Sequence, residues 1–281
     1  VLVIEVVSSN RDRSNPPISN RTAADHMNAR RIPTHVNAAG LTLAITNLKG
    51  GVGKSVLTSL IAAEFAQQGA SVHVVDCDEQ QSTTRWHTVS RQRGYRLEGI
   101  GLTAIPATQD FHTAVASIPA SDIRLFDVGG FFHDRAVEAY KQCDAVLIPV
   151  INEATSATQA MAIRSILETN GKEMQRPVIP YKAIFNNLHP FNINSPAVAE
   201  TAKILVNANF PLAKPIIKTR DYYARVAAGW GTLYDWRAHF ESNPKLTPSA
   251  RQKALEPVYG AIEGVNILNN EIIQLLREAQ T

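Results

Sequence analysis

The chain reads as an α/β protein, a mostly parallel twisted sheet with helices on both faces. Three features of the sequence lead there. From Leu41 onward, short apolar runs alternate with longer stretches of helical period. Those runs are almost continuously apolar, as strands buried on both faces have to be. The first of them ends in a glycine-rich turn that opens directly into a helix, the order of a parallel unit with crossover helices.

Taken in order, residues 1–40 stand apart. The stretch SSNRDRSNPPISNRTAADHMNARRIPTHVN is polar and carries neither a helical nor a strand period. Residues 1–40 are therefore expected to be a flexible, disordered extension, with residues 41–281 forming one domain. Met27 stands shortly before the first strand, so residues 1–26 read as an extension or an upstream-translated segment. A basic arm for nucleic acid, using Arg11, Arg13, Arg21, Arg30 and Arg31, stays open as the alternative. Strands are expected at 41–46, 71–76, 102–106, 123–128, 144–150 and 180–185. A helix is expected over 54–68, where Val56, Leu57, Leu60, Ile61, Ala63 and Phe65 fall at helical spacing and Gly69 suits the C-terminal cap. The last fifty residues read as a connecting segment and one or two helices, with Trp230, Tyr234 and Trp236 docking the tail.

Bulk composition narrows the classes. Hydrophobic residues make up 44% and charged residues 19% of 281, an ordinary balance for a globular chain and too apolar for a disordered one. No apolar run approaches the ~18 residues of a spanning helix, and VLVIEVV is short and broken by Glu5. Cys77 and Cys143 are the only cysteines and lack metal-ligand spacing, which fits a reducing cytoplasm. A formal charge of +3 permits contact with nucleic acid without requiring it.

The chemistry concentrates in NLKGGVGKSVLTSLIAAEF, residues 47–65. Strand, glycine-rich turn and helix start together aim backbone N–H groups and a helix dipole at one point, a site for a polyanion. Gly50, Gly51 and Gly53 let the backbone curl around phosphate; Lys54 is placed to reach it, and the Ser55 hydroxyl to ligate Mg²⁺. A common phosphate loop carries glycine at the position of Leu48, and here a second lysine, Lys49, follows instead. Sitting before the tight turn, Lys49 is expected to point outward and across, toward phosphate held by a facing subunit. A cation supplied in trans stabilises phosphoryl transfer as an arginine finger does.

KGGVGKS resembles the deviant Walker A motif of the ParA/MinD family of ATPases, with the ParA-type partition ATPases nearest. The resemblance runs from about Leu41 to Gly231. It extends through VVDCDEQQST, similar to the family's D-x-D-P-Q-G motif with Glu79 and Gln81 in place of proline and glycine, and through IRLFDVGG, which has the form of a Walker B strand. Strand alternation gives Asp76 and Asp78 a shared direction and turns Cys77 away. The resemblance implies ATP and Mg²⁺ as cofactors. Nucleotide contacts would come from Gly50, Gly51, Val52, Gly53, Lys54, Ser55 and Val56, with Asn186 or Asn187 reading adenine. Ser55, Asp76 and Asp127 would hold the metal, and Lys49, Lys54 and Asp78 would act in catalysis. His133 reads as a surface or packing residue rather than a base.

The resemblance further implies a homodimer formed on ATP binding, hydrolysis with a DNA-binding, ParB-like adaptor, and nonspecific DNA binding. The cations available are Lys214, Lys218, Arg220, Arg225, Arg237, Lys245, Arg251 and Lys253. The expected role is plasmid or chromosome partition in the cytoplasm, in association with the nucleoid. An accessory ATPase of conjugative transfer and a MinD-like positioning ATPase remain alternatives. The tail NNEIIQLLREAQT is amphipathic but carries two glutamates and one arginine, so it is expected to pack rather than bind a membrane.

Overall fold

In the computed structural model, residues 40–130 and 134–279 are described. All of them fall in one unit, His35–Thr281. The expected extension, apart from Gly40, and His133 lie outside the described residues.

Seven strands alternate with helices: β1 Leu41–Thr46, α1 Lys54–Gln67, β2 Val72–Asp76, α2 Ser82–Gln92, β3 Ile100–Ala104, α3 Phe111–Ala116 and β4 Ile123–Val128. They continue through α4 Asp134–Lys141, β5 Ala145–Val150, α5 Ala154–Glu173, β6 Tyr181–Leu188, α6 Pro196–Asn207 and β7 Leu212–Lys218. Three helices follow, α7 Asp221–Ala227, α8 Leu233–Ser242 and α9 Pro248–Glu278. The strands form one sheet in the order β3-β2-β4-β1-β5-β6-β7, and every neighbouring pair is parallel.

Every residue of β1, β2 and β5 is buried, which explains why those strands lack polar alternation. One face is covered by α3, α4, α5 and α6 over Ala44, Phe126, Val146, Ile148 and Phe185. On the other, α1 packs against β1, β2 and β4, flanked by α2, α7 and α9. Burying side chains such as Leu43, Ile45, Phe65 and Leu147 contributes about 1.5–3 kcal/mol each. Because all strands run the same way, the loops after β1, β2, β4, β5 and β6 gather at the sheet's carboxyl edge, where open α/β sheets bind ligands.

Three expectations needed correction, the first being the sixth strand, which runs Tyr181–Leu188 rather than 180–185. The third strand occupies Ile100–Ala104 rather than 102–106; Ile105 and Pro106 lie beyond it, where a proline without an N–H ends the ladder. A seventh strand, Leu212–Lys218, was not expected. Its half-exposed residues and Pro215 hide the signal, because it is an edge strand.

Candidate functional site

The turn after β1 delivers the chain into α1 through Gly53, whose φ of 85° is left-handed. A Cβ there would lie 2.4 Å from Asn186 Nδ2, so only glycine fits. No side chain caps the α1 N-terminus. Its first-turn N–H groups, normally satisfied by a cap, are therefore left for an anion. The Lys54 side chain lies back over the loop, with Nζ donating to the Lys49 carbonyl at 3.4 Å. Burial lowers its pKa, while the charges of Asp127 and Asp78 oppose that shift.

The carboxylates come from neighbouring strands. Asp76 of β2 and Asp127 of β4 are paired residues in the parallel register, so they stand side by side. Asp76 Oδ2 accepts from the Thr84 backbone N–H at 2.8 Å and the Thr84 hydroxyl at 2.7 Å. Its Oδ1 accepts from the Asp78 N–H at 3.1 Å. Burial raises the Asp76 pKa, and the Thr84 hydrogen bonds work against it. Asp76 thus orders the loop and the first turn of α2.

Asp127 is completely buried. The Thr83 hydroxyl donates to its Oδ2, and Oδ1 has no hydrogen-bond partner. Burial first, then the Asp76 charge, push its pKa from 3.8 to about 7, against the Thr83 and Ser55 hydroxyls and the Lys54 ammonium. A buried carboxylate oxygen left unsatisfied is costly. Its hard oxygen, beside the Ser55 hydroxyl, fits Mg²⁺, which takes one or two carboxylates and completes its shell with phosphate and water. Among the described residues no three His, Cys, Asp or Glu side chains form a metal group by themselves, so a protein-only cage is not what the residues build.

Asp78 sits on the loop between these elements, its Oδ1 accepting from the Gln80 N–H at 2.9 Å. Gln81, where the family pattern has glycine, keeps a left-handed φ of 49°. A side chain in that region costs about 1–2 kcal/mol. Part of the relief from Gln81→Gly is offset by the greater freedom of glycine in the unfolded chain. Gln81→Gly is expected to raise the melting temperature by about 2–3 °C; a lower melting temperature in a calorimetric scan would show that the loop carries no such strain.

Lys49 is not free at the rim of the loop. Its Nζ pairs with Glu153 Oε2 at 2.7 Å, within its own chain. Asn47, unremarked in the sequence, holds this corner: its Oδ1 accepts from the Lys49 N–H at 2.9 Å, and its Nδ2 donates to the carbonyls of Pro149 at 2.8 Å and Ser156 at 3.3 Å. The loop is thereby tied to the end of β5 and the start of α5.

The two asparagines of β6 separate. Asn186 is buried, and its Nδ2 donates to the Val52 carbonyl at 2.7 Å, making it a strut beneath the phosphate loop. Asn187 is exposed, with φ 54° and its Oδ1 accepting from the Thr219 hydroxyl at 3.1 Å. Of the pair, Asn187 is the one whose side chain reaches solvent. The backbone of Gly50, Gly51, Val52, Gly53, Lys54, Ser55 and Val56 forms the loop and first helical turn; Val52 itself is fully buried.

The suggested basic patch divides. Lys214, Lys218, Arg225, Lys245 and Lys253 are exposed. Arg220 packs against Gly260, Arg237 lies over Tyr234, and Arg251 donates to the Asn243 carbonyl at 3.2 Å. The apolar side of the last helix is covered: Leu268, Ile272, Ile273, Leu275 and Leu276 are all buried, and no described helix is long and apolar enough to cross a membrane.

Residues 43–192 match the CobQ/CobB/MinD/ParA nucleotide binding domain family. Among curated proteins the chain is similar to Protein ParA of Rhizobium radiobacter, 22% identical over 198 residues, covering 70% of this chain and 86% of the relative. It is also similar to the chromosome-partitioning ATPase Soj of Thermus thermophilus, 26% identical over 151 residues, covering 45% of this chain and 61% of that protein. Among solved structures, the fold matches the MinD cell division protein of Aquifex aeolicus with a TM-score of 0.54 at 20% identity, over 80% of this chain and 97% of that one. A Cyanothece McdA(D38A)–ATP complex matches with a TM-score of 0.56 at 14% identity, over 82% and 98% of the two chains. Phosphate loop, paired aspartates and parallel sheet thus agree with the sequence match, and the chain belongs to the CobQ/CobB/MinD/ParA nucleotide-binding domain family.

Proposed function

We propose that this chain is a Mg²⁺-dependent ATPase that works as an ATP-switched dimer in DNA partition, together with a DNA-binding adaptor and nonspecific DNA. The observation that supports this most is the pair of lysines on one loop. Lys54 is buried over the loop, whereas Lys49 stands at the rim with its side chain 25% exposed, paired with Glu153, whose side chain is 52% exposed. An ion pair that open to water is worth about 0–1 kcal/mol, so a triphosphate on a facing subunit can outcompete it. The names of the similar partition proteins, ParA and Soj, favour partition over conjugative transfer or positioning.

In this reading the N–H groups of the α1 N-terminus and the Lys54 ammonium bind the phosphates. Ser55, Asp127 and Asp76 would hold Mg²⁺, which would supply charge neutralisation of the phosphates, and Asp76 also steadies the loop beside them. The Asp78 carboxylate accepts a hydrogen bond from the attacking water and orients it, and Lys49 of each subunit meets the charge that develops on the other's nucleotide. Asn187 contacts the adenine edge. Hydrolysis removes the group that Lys49 holds, and the dimer reopens.

The test is ATP turnover with and without nonspecific duplex DNA and the product of the adjacent gene. Stimulation by both together, with DNA binding that falls steeply as salt rises, is the expected result. Turnover indifferent to both would remove the partition role.

A further inference from the structure

The segment Gly229-Trp230-Gly231, between α7 and α8, presents an indole to solvent. Tyr234 and Trp236 dock the tail as expected: the Tyr234 hydroxyl donates to Glu64 of α1, and Trp236 packs against Tyr222 and Phe240. Trp230 does not follow them, being 43% exposed.

This exposure is built into the turn. Gly229 and Gly231 have φ values of 79° and 68°. A Cβ on Gly229 would meet Val89 at 2.6 Å, and one on Gly231 would meet Tyr95 at 2.6 Å. The turn is also clamped by α2. Trp86 Nε1 donates to the Gly231 carbonyl at 3.1 Å, and the Gly231 N–H donates to the Ser90 hydroxyl at 3.3 Å. Arg93, just past α2, donates to the carbonyls of Ala228 at 2.8 Å and Gly229 at 3.0 Å, while its guanidinium carbon lies 4.1 Å from the Trp230 ring centroid. The indole's freedom is therefore already restricted before any partner arrives, which lowers the cost of binding.

We propose that Trp230 and the arginines around it form a docking surface for an acidic segment of a partner protein that carries an apolar side chain. The two stretches 85–98 and 220–231 contain six arginines against two acids, Glu98 and Asp221; Arg220 turns away to Gly260, and one further carboxylate, Asp235, lies beside Gly231. Arg93 lies over the indole itself. Arg91, Arg96 and Arg225 are exposed, Arg91 donating to the Arg96 carbonyl at 3.2 Å and Arg96 pairing with Glu98 at 3.5 Å in a contact open to water. Arg225 lies over Trp236, while its carbonyl accepts the Trp230 N–H at 3.1 Å. Tryptophan and arginine are the residue types that dominate protein–protein hot spots. A duplex backbone would complement the charge but offers no apolar surface for a protruding indole, so a peptide fits better.

The surface is joined to the nucleotide site by α2. At the start of that helix Thr83 donates to Asp127 and Thr84 to Asp76; at its end Ser90 and Arg93 hold the Trp230 turn. An eleven-residue helix spans about 16 Å as one rigid element. A shift of the carboxylates on binding nucleotide is thereby passed to the docking surface. This link rests on the ATP reading above; the docking itself does not.

The test measures binding of a labelled short Glu/Asp peptide with a central Leu and Phe, and separately of a nonspecific duplex, to the full chain. The variants are Trp230→Ala and the surface double change Arg91→Glu with Arg96→Glu. Both are expected to weaken peptide binding about tenfold or more and to leave basal ATP turnover and melting temperature unchanged. The proposal is overturned by no peptide binding, by binding that neither variant weakens, or by duplex binding that Trp230→Ala abolishes in its place. Nucleotide-free protein decides the docking question, so failure of the ATP reading cannot be mistaken for failure here. Repeating the titration with a non-hydrolysable ATP analogue is expected to change peptide affinity severalfold; equal affinity in the two states overturns the α2 link.

Discussion

Lys49→Ala is expected to lower partner-stimulated ATP turnover by about 10³-fold or more, the range seen when a cation supplied in trans is removed from phosphoryl transfer. ATP affinity of the single chain should change little, because the groups lining the phosphate position are the α1 N–H groups and Lys54. Stability should hardly move either. Among the described residues the ion pair lost is Lys49–Glu153, with Glu153 half exposed, and such pairs contribute about 0–1 kcal/mol. Single-turnover kinetics and nucleotide titration on the same variant separate these terms. Equal loss of binding and turnover would place Lys49 on its own nucleotide and contradict the trans role.

Asp127→Asn is expected to move stability and activity in opposite directions. The folded-state pKa of Asp127 lies near 7 against 3.8 for an ordinary aspartate. A raised carboxyl pKa means that the folded chain holds a proton the unfolded chain has released, so nucleotide-free protein loses stability as pH rises from about 4 to 7. The cost is fully present above pH 7. At about 1.4 kcal/mol per pKa unit it is on the order of several kcal/mol. Removing the charge should raise the melting temperature at pH 8 by about 5 °C or more and flatten its fall between about pH 4 and 7. Mg²⁺-dependent turnover should be lost, since an amide cannot replace the carboxylate beside Ser55. A melting temperature below that of the parent chain at pH 8 would show that the carboxylate is already well satisfied without metal.

The sheet and the phosphate loop were legible because their signals are local. Buried strands read as apolar runs, and a loop that must curl around phosphate needs glycines at set places. The D-x-D and Walker B aspartates were legible by position, at the ends of β2 and β4. What holds them was not. Thr83 and Thr84 touch the aspartates only because α2 folds back to the sheet, although the hydroxyl run Ser82-Thr83-Thr84 directly after the motif was a usable sign. Asn47 and Glu153 are 106 residues apart and meet at Lys49 through tertiary folding alone. The sequence also left Asn186 and Asn187 open as the adenine contact, because only folding buries Asn186 against the Val52 carbonyl and beside Gly53. Edge strand β7 was missed because exposure dilutes its pattern.

The most direct measurement is the mass of the particle in solution, by sedimentation or light scattering, when the chain is saturated with Mg²⁺ and a non-hydrolysable ATP analogue. A pair of chains that falls apart with ADP is the expected result. A single chain under saturating analogue, with full ATP turnover under the same conditions, would contradict it.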